Sequence, residues 1–339
     1  MRAVAFRGPL PHDGPRELED ITLPTPEPGP RDLLVKIEAV SVNPVDTKVR
    51  RRREVAEGGW LVPGYDAAGS VVAVGSEVTL FRPGDAVFYA GSIVRQGTDA
   101  EYHLVDERVV GRKPASLGWA EAAAVPLTAI TAWEVLFDRL DVTRPVPGAA
   151  PAILIVGGAG GVGSIAIQLA RQLTGLTVTA TASRPETEAF ARELGAHHVI
   201  DHGKPMAPQV EALGIGAPGL VFVMTHAKQH LPDAVALIAP QGRIAVIDDP
   251  DVLDANPLKG KSVSLHWEMM FTRSMFGTAD MDAQGKLLGE VARLIDAGTL
   301  RTTLADHYGA INAANLSRAH ALMTSGTARG KVVLEGFGD

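Results

Sequence analysis

The stretch Ile153-Leu154-Ile155-Val156-Gly157-Gly158-Ala159-Gly160-Gly161-Val162-Gly163 constrains this chain more than any other. Its four apolar residues read as a buried parallel strand. Gly158, Gly160 and Gly163 fit the spacing G-x-G-x-x-G. A helical pattern follows at once, with Ile165, Leu169 and Leu173 on one face. Strand, glycine turn and helix in that order are the fingerprint of a dinucleotide-binding βαβ unit. The expected division of labour gives Gly158 the tight turn, Gly160 the close approach of backbone to a pyrophosphate, and Gly163 the packing of helix on strand. Gly161 and Val162 then lie in the first helical turn, whose free N–H groups attract phosphate.

A chain of 339 residues exceeds what one core usually supports, so two domains are expected. The first third is β-rich. Leu33–Val40, Ala68–Val74 and Asp85–Tyr89 read as strands separated by clusters such as Pro26-Glu27-Pro28-Gly29-Pro30, the pattern of a small barrel. From Trp119 the texture turns alanine-rich and helical. Strands are then expected at Ile153–Val156, Val178–Ala182, His198–Asp201, Leu220–Met224, Arg243–Ile247 and Val263–His266, with helices at Ser164–Leu173, Thr187–Leu194 and Leu231–Ile238 between them. That alternation describes a Rossmann doubly wound parallel sheet in the order 3-2-1-4-5-6, hence an α/β fold. Helices at Ala283–Ala297 and Ala314–Met323 and a strand from Lys331 to Leu334 form a tail expected to rejoin the first domain.

The net charge of -7 gives no reason to expect nucleic acid or a membrane as partner. No run of consecutive apolar residues reaches the ~18 needed to span a bilayer. The N-terminal residues break too soon at Gly8-Pro9 for a signal peptide, so a cytoplasmic location is expected. The chain has no cysteine, which excludes disulfides, iron–sulfur clusters and cysteine-ligated zinc.

The second strand of the nucleotide unit ends at Ser183-Arg184. NAD-binding units carry an acid there to hold the ribose 2′-hydroxyl. This chain has none at that point. Ser183 can donate to a 2′-phosphate and Arg184 can pair with it, which points to NADPH. The bland alternative makes Arg184 a solvated residue opening the next helix. Ligands in such sheets bind beyond the carboxyl ends of the strands, where Asp201, Met224, Thr225, Asp248 and Trp267 are expected. Met270 could line an apolar substrate pocket with Trp267, or pack a core. His226 and His230, four apart, could share one helix face, but a third metal ligand is not evident, so no metal is assigned.

Gly64-Tyr65-Asp66-Ala67-Ala68-Gly69-Ser70-Val71-Val72-Ala73-Val74-Gly75 and Ala122-Ala123-Ala124-Val125-Pro126-Leu127-Thr128-Ala129-Ile130-Thr131-Ala132-Trp133 resemble signatures of the medium-chain dehydrogenase/reductase superfamily. His266-Trp267-Glu268-Met269-Met270-Phe271-Thr272-Arg273-Ser274-Met275-Phe276 resembles its quinone oxidoreductase-like branch, often labelled zinc-type alcohol dehydrogenase-like. The resemblance runs from end to end. It implies a GroES-like barrel over residues 1–124, completed by 272–339, and a Rossmann NADP(H) domain over 125–271. It also implies that Asn43, Asp46, Tyr65 and Thr128 face the nicotinamide region and that Lys331 lies near the cofactor. Where zinc alcohol dehydrogenases carry ligands, this chain has Asn43-Pro44-Val45-Asp46 and Gly64-Tyr65-Asp66, so it is expected to be zinc-free.

The expected activity is hydride transfer from NADPH to a quinone or an α,β-unsaturated carbonyl, with Tyr65 the first candidate for proton donor and Asn43 and Asp46 beside it. The alternatives are a metal-free NADP-dependent alcohol or carbonyl oxidoreductase, and a low-turnover NADPH-binding sensor or structural protein. Arg50-Arg51-Arg52-Arg53 reads as a solvated loop. The open edge strand at Val263–His266 suggests a two-fold homodimer acting on a small-molecule substrate.

Overall fold

The structure, a computed structural model, describes residues 1–8 and 16–338. It divides into two units, one spanning Met1–Ile130 and Phe271–Asp339, the other Thr131–Met270.

The second unit is built on six parallel strands. Their spatial order is His198–Ile200, Thr177–Thr181, Ala150–Val156, Pro218–Val223, Arg243–Val246 and Ser264–Trp267. The chain therefore starts in the middle, winds outward, returns and winds the other way, as the alternation of strands and helices requires. Ile153–Val156 and all of Pro218–Val223 are buried, which fits a sheet covered on both faces. Alternate residues Leu154, Val156, Val221, Val223, Ile244 and Val246 point to one face and meet Met206, Val210, Leu231 and Leu237 from the helices above it. Helix Gly161–Leu173 follows the first strand and Pro185–Glu193 the second. Both begin earlier than expected, because Gly161 and Pro185 are poor helix formers that suit a first turn. Helix Met206–Ala212 was not foreseen.

The stretch Trp119–Arg139 is long and apolar enough on average to cross a membrane, although no run of consecutive apolar residues that long exists. Most of it is buried inside the fold, as a core helix is. It ends in a wider-pitched turn at Glu134–Arg139.

In the first unit the eleven-residue strand Asp32–Val42 is the hub. It pairs antiparallel with Asp66–Val74, Tyr102–Asp106 and Lys331–Glu335. The C-terminal strand thus lies in the N-terminal sheet, with Val332 opposite Val42, while Ser41 stands opposite Asp66. These registers gather residues 43, 66 and 331 at one end of the hub strand. Helix Pro44–Arg52 follows immediately. Arg50, Arg51 and Arg52 form its last turn, not the solvated loop expected from the sequence. Cations suit the negative end of a helix. Arg50 is itself buried, its guanidinium donating to the Arg16 carbonyl.

Candidate active site

In the nucleotide unit the turn is tightest at Gly157, whose φ of +92° is left-handed. This corrects the expectation that Gly158 makes the turn. Gly158 is needed for space: a Cβ there would lie 2.8 Å from Cβ of Ala180 on the neighbouring strand. At Gly163 a Cβ would come within 2.4 Å of the Gly157 carbonyl oxygen, so this glycine does let helix and turn close together. Gly160 differs from both. A Cβ there would meet only the Gly157 carbonyl oxygen, at an ordinary van der Waals distance of 3.4 Å. The first intrahelical hydrogen bond runs from Ser164 N–H to the Gly160 carbonyl at 2.9 Å. The N–H groups of Gly161, Val162 and Gly163 precede it and have no partner within the helix. An open cradle at the positive end of a thirteen-residue helix fits a pyrophosphate.

The rim of that cradle is built from the strand ends. Thr181 Oγ1 accepts the Gly157 N–H at 3.0 Å and lies 2.9 Å from Nδ1 of His202, to which it can pass its own proton. Ser183 is exposed, and Arg184 is partly exposed with Nε 3.2 Å from Glu186. Residues 181–184 read Thr-Ala-Ser-Arg, so the strand ends without an acid. Asp201 is held in its own turn, accepting the Gly203 N–H at 2.8 Å. Asp248 accepts the Ala227 N–H at 2.9 Å and so caps helix Ala227–Leu237, while Thr225 lies 2.8 Å from Nδ1 of His226. Thr225, His226 and Asp248 therefore come together at the carboxyl ends of adjacent strands. Trp267 is half exposed, and Met270 is buried. His226 is the left-handed residue preceding the helix and not part of it, yet its ring lies 6.3 Å from that of His230, so the two histidines do come together. Among the described residues, no group of three or more His, Cys, Asp or Glu side chains is arranged to hold a metal ion.

The first unit holds a polar cluster in a buried setting. Nζ of Lys331 contacts the Val42 carbonyl at 3.2 Å, Oδ2 of Asp66 at 3.0 Å, and Oδ1 of Asn43. Three acceptors meet the three protons of the ammonium. Lys331, expected near the cofactor, therefore spends its donors on its neighbours. Asp66 also accepts from the Asn43 amide at 2.8 Å and from the Leu127 N–H at 2.7 Å. The Asn43 amide is completed by the Ser41 carbonyl at 3.2 Å, which fixes its orientation. Thr128 is buried and donates its hydroxyl proton to the Val125 carbonyl at 3.0 Å.

Asp46 reciprocates the helix cap: its Oδ2 accepts the Asn43 N–H at 2.7 Å. Its Oδ1 is buried without a partner. Burial pushes its pKa up to about 7, aided by the like charge of Asp66 and opposed by the Asn43 N–H and Lys331. Tyr65 is buried edge-on against Phe271, with ring centroids 5.0 Å apart. Burial first, then the Asp46 charge, hold its phenol above the ordinary range, so it keeps its proton. Sequence reasoning found Asn43, Asp46, Tyr65 and Lys331 one at a time. It missed Asp66 as the acid that organises them, although Asp66 lies inside the quoted Gly64–Gly75 signature.

Fold and site together define a two-domain oxidoreductase with a dinucleotide unit and a polar barrel unit. Residues 29–134 match the alcohol dehydrogenase GroES-like domain, and residues 194–334 match the zinc-binding dehydrogenase domain. The chain is 39% identical to a zinc-type alcohol dehydrogenase-like protein of Staphylococcus aureus (strain MSSA476) over 316 residues, 92% of each chain. It belongs to the medium-chain dehydrogenase/reductase superfamily. Among solved structures, a protein from Rhizobium etli CFN 42 provisionally named a zinc-dependent alcohol dehydrogenase is 64% identical, with a TM-score of 0.97 over 100% of this chain and 99% of the other. The quinone oxidoreductase from Coxiella burnetii is 27% identical with a TM-score of 0.78, and a mycobacterial protein complexed with NADPH is 26% identical with a TM-score of 0.82; both matches cover 99% of both chains. The zinc in these names does not suit this chain. Both polar atoms of the Asn43 amide are already engaged, Tyr65 is a protonated phenol, and there is no cysteine to supply thiolate.

Proposed function

We propose that this protein is a zinc-independent oxidoreductase that uses NADPH to reduce quinones or α,β-unsaturated carbonyl compounds. One observation carries the proposal: the buried phenol of Tyr65 keeps its proton at neutral pH, and it lies in the same buried polar setting as Asp46, whose carboxyl pKa is raised by burial to about 7, close to where zinc relatives place a metal ligand. A reduced carbonyl oxygen needs a donor as its charge grows. Tyr65 would supply a hydroxyl proton, the charge of Asp46 helps to hold that proton in place, and Asn43, its amide spent on Lys331, Asp66 and Ser41, fixes the start of the helix that carries Asp46.

NADPH, when bound, supplies the hydride. The turn Gly157–Gly163 would hold its pyrophosphate through the N–H groups of Gly161 and Val162. Ser183 and Arg184 would take the 2′-phosphate, where an acid would repel it. Asp201, Thr225 and Asp248 at the strand ends, and Thr128, complete the proposed cofactor set. Lys331 acts one step removed, by holding Asn43. We further propose a cytoplasmic homodimer, joined through the outer edge of Ser264–Trp267. Among the described residues, no strand pairs with that edge.

The test is spectrophotometric. Oxidation of NADPH and of NADH is followed with a simple quinone and a simple enone, with and without chelator. The expected outcome is a clear preference for NADPH that chelator leaves unchanged. Arg184→Ala should weaken NADPH by roughly 10-fold or more while leaving NADH unaffected, the scale of one lost charge-assisted hydrogen bond of ~1.5–3 kcal/mol. A preference for NADH, or loss of activity with chelator, would overturn the proposal.

A further inference from the structure

Three histidines of the nucleotide unit have no task in the proposed chemistry, yet the fold brings them together. His202 follows the strand His198–Ile200, His226 precedes helix Ala227–Leu237, and His230 lies in the first turn of that helix. The His230 ring meets that of His202 at 5.8 Å between centroids and that of His226 at 6.3 Å, edge to face in both contacts. His230 is buried, His202 half-buried and His226 exposed, so the cluster runs from the interior to the surface. Two of the rings are held by threonines. Thr225 Oγ1 lies 2.8 Å from Nδ1 of His226, and Thr181 Oγ1 lies 2.9 Å from Nδ1 of His202. Thr181 also accepts the Gly157 N–H, so a single hydroxyl separates His202 from the backbone of the glycine turn.

A threonine hydroxyl carries one proton and two lone pairs. With His202 neutral, Thr181 can donate its proton to Nδ1. With His202 protonated, Nδ1–H donates to the lone pair that Gly157 leaves free, and the threonine proton turns away. The contact therefore survives either charge state, which a lysine or arginine in the same place would not offer. Burial favours the neutral rings of His202 and His230, and the neighbouring imidazoles add to it; Asp201 opposes it at His202, and Asp233 and Asp248 at His230. The cations on the adjoining strand ends are already paired, Lys204 with Asp201 at 3.4 Å and Arg184 with Glu186 at 3.2 Å, and Lys228 is an exposed residue of the helix. A dinucleotide brings several negative charges to this edge of the sheet, and opposite charge draws a proton onto a histidine. We propose that NADPH binding loads one proton from solvent onto the His202–His226–His230 cluster, which serves as a proton-linked anion site for the phosphates of the cofactor. The inference rests on the reading of Gly157–Gly163 as the NADPH turn. One proton is the limit, because two charged rings at these separations repel.

The test needs no turnover. Calorimetric titration of the full-length protein with NADPH at pH 7, in two phosphate-free buffers of different ionisation enthalpy, counts the protons exchanged on binding. Net uptake is expected, up to about one proton per nucleotide. The 2′-phosphate of the ligand, with a pKa of about 6, would be driven by a cationic site to release a proton, so the sign of the exchange separates the two sources. Affinity should rise about threefold or more as pH falls from 8 to 6.5. His202→Gln keeps a hydrogen-bonding partner for Thr181 but takes up no proton. Its uptake should drop to about half or less, and its affinity should fall behind the wild type at pH 6.5 while matching it at pH 8. If that variant fails to fold, His226→Gln, at an exposed ring, should reduce the uptake likewise. Binding without uptake, or uptake unchanged in the folded variants, would overturn the role of the cluster and leave the reductase reading in place. Uptake on NADPH binding without oxidation of NADPH by quinone or enone would sink that reading and leave the cluster standing. A protein that binds neither NADPH nor NADH overturns both.

Discussion

Asp66 has no exposed surface, and a carboxylate that deep persists only because every direction around it is answered. Lys331 supplies the countercharge, 265 residues away in sequence. Removing it in Lys331→Met should therefore cost about 3–5 kcal/mol, the scale for breaking a buried pair from one side, measured by urea unfolding. Adding Asp66→Asn to that variant should recover part of the loss. His103 bears on pH in the opposite sense to a buried acid. Its Nε2 donates to the Gln96 carbonyl at 2.9 Å, which leaves Nδ1 to accept from Tyr89, 3.0 Å away. Burial lowers its pKa from 6.5 to about 4, and that of His320 to about 3. Between those values and 6.5 the unfolded chain binds protons that the folded chain refuses. Stability is thus complete above pH 6.5 and is lost as pH falls toward 4. The expected loss from His103 alone is on the order of 3 kcal/mol. Thermal unfolding scans at pH 7 and pH 4.5 check it, and an unchanged midpoint would remove this account of the histidine. The sequence offered Asn43, Asp46 and Tyr65 by resemblance. It could not offer the Asp66–Lys331 pair, because the contact comes from strand register, which a single sequence does not display.

At the level of elements, the glycine turn separates space from conformation. Gly160→Ala adds a methyl group where nothing lies closer than 3.4 Å and where φ is an ordinary -74°. Folding stability should stay within about 0.5 kcal/mol of wild type. Nucleotide affinity should drop at least tenfold, because the methyl group fills the cradle. Gly163→Ala drives a methyl group against the Gly157 carbonyl and the Gly158 backbone, so both stability and binding should fall, the former by about 1–3 kcal/mol. Calorimetric titration with NADPH beside thermal melts distinguishes the two variants. Equal effects would contradict this division. The motif itself was plain in the sequence, yet its labour was misassigned by one residue: Gly157 and Gly158 are adjacent glycines, and only the backbone shows which one turns left-handed. Helix Met206–Ala212 was hidden for a different reason. It is short, and Pro208 sits in its first turn, where proline is tolerated but reads as a breaker.

For the molecule as a whole, the alternation of strands and helices was enough to read the six-strand order, since right-handed crossovers leave few other arrangements. The return of the tail to the first sheet was also readable, because Lys331–Leu334 is a strand with nowhere to pair in a completed parallel set. What lies beyond the edge strand is a matter for solution measurement. Ser264 and Glu268 turn their N–H groups inward, to the Gly242 and Val246 carbonyls. By alternation, the Leu265 N–H points outward. Leu265→Pro should remove an outward donor without breaking a ladder bond, and so shift the proposed dimer toward monomer in sedimentation equilibrium. A monomeric wild type would dispose of the dimer altogether.

The position of Lys331 also bears on how this protein is made. A ribosome releases Thr131–Met270, with all six strands of the nucleotide sheet, before it has translated the residue that neutralises Asp66. The half of the molecule that begins first must finish last, waiting on its own far end. A nascent chain stalled short of the final strand would carry an assembled nucleotide fold behind an N-terminal sheet still missing its countercharge.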